Sequence, residues 1–157
     1  MIKLPSISAE NVGIFREDVL PKVKDLLVRN SINSHFEKIV CYCSKDGQLS
    51  DSRIERLVIG DIAVLTDAIS QIGMITEESA VVVDEFSKAY TNFCNRNFGR
   101  TWAQRIGVTT CPYCNRSYIF TSSKSGTRPQ YDHYFPKSKY PYLALSMYNL
   151  IPCCSIC

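Results

Sequence analysis

The sequence predicts a mainly α N-terminal region followed by a small α+β module stapled by zinc. Three observations carry that expectation. Apolar residues recur at helical spacing through roughly the first hundred residues. Past Thr110, β-formers and turn residues replace that period. Two Cys-x-x-Cys pairs, Cys111–Cys114 and Cys154–Cys157, then bracket the remaining segment. The expected division is residues 1–100 for the helical region and residues 101–157 for the zinc-stapled module.

Taken in order, a first helix is expected from Asn11 to Arg29, with Val12, Phe15, Val19, Val23, Leu26 and Leu27 on one face and Pro21 splitting or kinking it. A short helix covers His35 to Cys43 and ends before the turn signal Lys45-Asp46-Gly47. Asp51 or Ser52 caps a third helix that carries Ile54, Leu57, Val58, Ile62, Val64, Leu65 and Ile69, with Gly60 weakening it. Thr76-Glu77-Glu78-Ser79 opens a fourth, with Val82, Phe86, Ala89, Tyr90 and Phe93 at helical spacing. Asn95 to Thr110 reads as a connector. Ser117–Thr121 reads as a strand, Ser122–Thr127 as a flexible loop and Gln130–Tyr134 as a second strand.

Composition narrows the class. With 157 residues, 45% hydrophobic and 21% charged, the chain is globular rather than disordered. No apolar run approaches the 18 or so residues of a membrane span, and Met1-Ile2-Lys3-Leu4-Pro5 lacks the core of a signal peptide. The expectation is a cytoplasmic protein with no membrane partner. In a reducing compartment eight cysteines point to metal rather than disulfides.

A two-residue gap lets both thiolates of a pair reach one Zn²⁺, and two such knuckles complete a tetrahedral set of Cys111, Cys114, Cys154 and Cys157. Four sulfurs leave no open position for water, so this zinc is structural. Cys153 offers an alternative register beside Cys154. A thioredoxin-like redox pair would need a βαβ setting that this region lacks. Cys41, Cys43 and Cys94 lie in apolar helical stretches and are expected as buried thiols.

Inside the stapled segment, Asp132 and His133 are adjacent and Asn149 follows in Tyr148-Asn149-Leu150. Phosphodiester hydrolysis needs a base to activate water and a cation to stabilise the crowded phosphorane. His133 suits the first role near neutral pH, and Asp132 supplies a hard oxygen for Mg²⁺ or Mn²⁺. Neighbours on a regular strand face opposite ways, so a shared site requires a bend or an edge-on approach. Charge points the same way. From Cys111 onward Arg116, Lys124, Arg128, Lys137 and Lys139 face Asp132 alone, a balance of +4 in a chain whose total is +3. Arg116, Arg128, Lys137 and Lys139 are the expected nucleic-acid contacts. His35 has no partner motif and is expected to be structural.

The run from Phe135-Pro136-Lys137-Ser138-Lys139-Tyr140-Pro141 through Tyr148-Asn149-Leu150-Ile151-Pro152, set between the cysteine pairs and led by Asp132-His133, resembles the HNH nucleases. The zinc-stapled members found in bacterial mobile elements and phage-defence cassettes are the most similar. The resemblance covers residues 111–157 only. It implies a ββα-metal module in which His133 is the general base, Asp132 a ligand of the catalytic ion, and Asn149 the residue that fixes the loop and orients the base. It also implies an endonuclease acting on nucleic acid, with DNA as the expected target, and an ATPase partner reached through the helical region. The family pattern continues with a further Asn or His ligand on a final helix. The sequence stops at Cys157 before that point, so the expectation is a truncated module with weak affinity for the catalytic ion and little activity. The alternative is a non-catalytic zinc-stapled module that binds nucleic acid or docks a partner.

Overall fold

A computed structural model describes residues 4–76, 79–120 and 129–157. Helix α1 spans Ala9–Arg29, and the Ser8 side chain caps it by accepting from the Asn11 N–H at 3.2 Å. Pro21 lies inside this helix without ending it, so the expected split is corrected. Pro21 and Glu17, whose carbonyl a donor at position 21 would meet, are both exposed, leaving that carbonyl to solvent. The opposite face keeps Phe15, Val19, Val23, Leu26 and Leu27 buried.

After a 3₁₀ turn at Ser34–Phe36, helix α2 (Glu37–Cys43) leads into a hairpin of β1 (Ser44–Lys45) and β2 (Gln48–Leu49). Asp46 and Gly47 both take positive φ, 53° and 78°, as a two-residue primed turn demands. The expected third helix is two helices, α3 (Asp51–Val58) and α4 (Ile62–Ile72). Gly60 makes the break: a Cβ there would sit 2.2 Å from the Arg56 carbonyl oxygen and 2.6 Å from Val64 Cγ1. Asp61 then caps α4, accepting from the Val64 N–H at 2.9 Å. Helix α5 (Ala80–Asn95) follows, with Val82, Phe86 and Phe93 buried. Where a connector was expected there is a further helix, α6 (Asn97–Arg105), burying Trp102 and Ala103. Its Gly99 allows close approach, since a Cβ would lie 2.1 Å from the Phe93 carbonyl oxygen. Phe15 packs at 4.7 Å from Trp102 and 5.9 Å from Phe93, joining α1, α5 and α6.

Strand β3 (Gln130–His133) pairs antiparallel with β4 (Leu150–Cys153), register Asp132 opposite Ile151 and His133 opposite Leu150. The strand expected at Ser117–Thr121 is only a bridge between Thr110 and Tyr118 over its described residues; Thr121 and the expected Ser122–Thr127 loop lie outside them. Pro152 sits in β4 opposite Tyr131, which a two-stranded ribbon tolerates because each strand has an unpaired edge. The fold is α+β, mostly helical with two small two-stranded sheets. Among the described residues no helix is long and apolar enough to cross a membrane.

The link between β3 and β4 is held down on the helices. The Tyr142 hydroxyl donates to the Gly73 carbonyl at 2.8 Å, the Ile75 N–H donates to the Lys139 carbonyl at 2.9 Å, and the Ser146 hydroxyl donates to the Leu57 carbonyl. The Tyr131 hydroxyl donates to the Gly99 carbonyl at 2.6 Å and accepts from the Ala103 N–H at 3.1 Å. One continuous apolar cluster runs from Phe15 on α1 to Cys153 on β4.

Candidate functional site

Cys111 and Cys114 lie on a turn closed by the Cys111 N–H to Ser117 carbonyl bond at 2.9 Å and by the Asn115 N–H to Cys111 carbonyl bond at 2.9 Å. Asn115 takes φ 51°, a left-handed conformation that Asn tolerates better than most residues. Cys154 and Cys157 follow directly from β4. The sulfurs of Cys111, Cys114, Cys154 and Cys157 all lie within 4.8 Å of one another. Tetrahedral zinc, with Zn–S near 2.3 Å, places its sulfurs about 3.8 Å apart, so small adjustments close the set. The four cysteines are thus compatible with a zinc site. Cys153, the alternative register, is buried and outside the cluster.

Two of the four thiols, Cys114 and Cys154, are shifted toward the thiolate. N–H groups of Ser117 and Arg116 point at Cys114 and bring its pKa down to about 6. The N–H groups of Cys157 and Ile156 lower Cys154 likewise. Cys157 is pushed up to about 12, chiefly because it shares its proton with Cys154. Cys43 and Cys94 are buried as expected, whereas Cys41 is exposed. The correction follows from helix phase, because α2 buries Ile39, Tyr42 and Cys43 and so turns Cys41 outward.

His133 ends β3 half-buried, and its Nε2 lies 3.0 Å from the Ala144 carbonyl oxygen. A carbonyl only accepts, so Nε2 carries the proton and the neutral ring keeps its lone pair on Nδ1. Burial lowers the His133 pKa; the Ala144 bond opposes that shift, and the Lys137 charge adds to it. Tyr90 of α5 packs edge-on to the imidazole at 4.8 Å and anchors itself by donating to the Tyr131 carbonyl at 2.9 Å.

Asn149 is fully buried. Its Oδ1 accepts from the Phe135 N–H at 2.6 Å, while Nδ2 donates to the Leu143 carbonyl at 2.9 Å and the Phe135 carbonyl at 3.2 Å. It therefore ties the two ends of the Phe135–Leu143 loop together, one residue from the carbonyl that holds His133.

Asp132 is exposed and accepts at Oδ2 from the Tyr113 hydroxyl at 2.7 Å. It takes that partner on the cysteine side, whereas His133 bonds across to Ala144. Among the described residues Asp132 joins no cluster of three or more metal-ligating side chains. Lys137 Nζ rests 4.5 Å from the Tyr90 ring centre, next to His133. Arg116 and Lys139 are exposed, and Arg128 lies outside the described residues.

Comparison with known proteins finds no matching family model, curated protein or solved structure. The site is therefore argued from its own geometry. Sequence reasoning passed over Tyr113 and Tyr90. Tyr113 reads as knuckle filler, and its partner is 19 residues away. Tyr90 reads as one more apolar position on a helix, and nothing local marks it as a wall of the His133 site.

Proposed function

We propose that this protein is a metal-dependent HNH-type endonuclease that hydrolyses phosphodiester bonds in nucleic acid, with DNA as the first substrate class to test. The observation that carries the reading is the contact of His133 Nε2 with the Ala144 carbonyl. Its Nε2–H is committed to Ala144, burial keeps the ring neutral near pH 7, and Nδ1 has no hydrogen-bond partner among the described residues. A neutral imidazole so held removes a proton from water through Nδ1. Asn149 keeps the supporting loop closed, so the base does not swing away. Lys137, beside His133, offers a positive charge to a phosphate oxygen. A Mg²⁺ or Mn²⁺ ion at Asp132 would neutralise charge on the phosphate; one carboxylate with substrate oxygens and water is an ordinary ligand set for Mg²⁺. The cysteine cluster would hold a structural zinc that fixes both ends of the segment.

A second reading has its own support. Among the described residues Asp132 belongs to no group of three or more metal-ligating side chains, whereas the cysteines form a group of four. That pattern suits a zinc-stapled binding module without catalysis. With Mg²⁺ or Mn²⁺ the protein should cut plasmid or oligonucleotide DNA, and His133→Ala should abolish cutting while retaining zinc and nucleic-acid binding. Equal cutting by His133→Ala and wild type would replace the nuclease with the binding module.

A further inference from the structure

The Tyr113 hydroxyl lies between the two functional features of the module. Tyr113 is inside the first knuckle, flanked by Cys111 and Cys114, and its hydroxyl reaches across to Asp132 Oδ2 at 2.7 Å. The phenol is half-buried and packs against the apolar cluster. Asp132, by contrast, is exposed, and Tyr113 is the hydrogen-bond partner its carboxylate has among the described residues. An exposed carboxylate without a fixed neighbour samples several rotamers, and binding an ion then requires ordering it.

We propose that Tyr113 is a positioning residue for Asp132, the catalytic-ion ligand of the proposed active site. This rests on the nuclease reading of Asp132. The hydroxyl occupies Oδ2 and restricts the carboxylate to one orientation, leaving Oδ1 for Mg²⁺ or Mn²⁺. Packing of the ring against the apolar cluster holds the hydroxyl at Asp132, on the same turn that carries Cys111 and Cys114. Outer hydrogen bonds of this kind orient ligating carboxylates, and their removal weakens metal binding by roughly 10-fold or more. The first knuckle therefore carries two of the clustered cysteines and the hydroxyl that orients the carboxylate.

The test uses ¹⁵N-labelled, zinc-loaded protein and Mn²⁺ as a paramagnetic probe, with no dependence on cleavage. In wild type, Mn²⁺ should broaden the amide signals of Asp132 and its strand neighbours, and Asp132→Asn should remove that local effect. Tyr113→Phe keeps the ring and deletes the hydroxyl. It should raise the Mn²⁺ concentration for half-broadening roughly 10-fold, with zinc content and thermal midpoint unchanged. An unchanged Mn²⁺ titration in Tyr113→Phe overturns the positioning role; if His133→Ala still abolishes cleavage, the nuclease reading survives it. A wild type with no broadening near Asp132 overturns the positioning role and the metal-ligand role of Asp132 together. Loss of zinc from Tyr113→Phe also overturns it, because the hydroxyl would then serve the knuckle rather than the carboxylate.

Discussion

Replacing Asn149 with Ala removes three hydrogen bonds from a side chain that has no solvent exposure. The Phe135 N–H, the Phe135 carbonyl and the Leu143 carbonyl all lose their side-chain partner, and the small Ala leaves water little access to replace it. At about 1 kcal/mol for each bond lost, the substitution should destabilise the protein by about 3 kcal/mol. For a chain of 157 residues that corresponds to a fall in Tm of about 6–12 °C. The single tryptophan, Trp102, is fully buried, so its fluorescence reports unfolding alongside circular dichroism. Asn149→Asp sharpens the test. It keeps an acceptor for the Phe135 N–H but places a second oxygen against two carbonyls, so it should be at least as unstable. A loss below about 1 kcal/mol in both variants would refute the claim that Asn149 closes this loop.

If His133 is the base proposed above, cleavage should rise with pH through an acid limb below 6.5, the ordinary histidine value, and then level off, because burial lowers its pKa; a limb above 6.5 would contradict the buried neutral base. Lys137→Met should move that limb upward, since it removes a charge that disfavours the imidazolium. Cys154→Ser should release zinc while Cys153→Ser retains it, read by metal analysis of purified protein, and the reverse result would mean that Cys153 is the ligand. Lys137→Ala with Lys139→Ala should weaken nucleic-acid binding uniformly across sequences and flatten its salt dependence, measured by fluorescence anisotropy; unchanged binding would make them solvated loop charges.

What was legible in the sequence was local. The faces of α1 and α5 follow from apolar spacing, and the cysteine cluster follows from two fixed gaps, because a two-residue gap is itself a geometric constraint. Pro21 misled because a breaker acts on backbone bonding, whereas the buried face of α1 is decided by tertiary packing. Helix α6 was hidden by its short length and by Gly99, a poor helix former kept for its contact with Phe93. Strand β4 was hidden because Leu-Ile-Pro-Cys carries a proline and no alternation, all four residues being buried. The Tyr113–Asp132 and Tyr90–His133 contacts join different elements, and no local pattern encodes them.

The same long-range contacts explain why the helices matter to the site. Two four-residue strands make a ribbon too small to be stable in water without packing. The link between them is held at Leu57 by Ser146, at Gly73 by Tyr142 and at Ile75 by Lys139, so α3 and the chain after α4 define its path. Helix α5 adds Tyr90, which touches His133, lies under Lys137 and bonds to the backbone of β3. The helices thus supply one wall of the proposed site as well as its support. A displacement of α5 by a bound partner would reach His133 and Lys137 through a single aromatic ring, whereas Asp132 has its own partner in Tyr113. The proposed base, His133, and the proposed metal ligand, Asp132, are adjacent in sequence but take their hydrogen bonds from two separate parts of the fold.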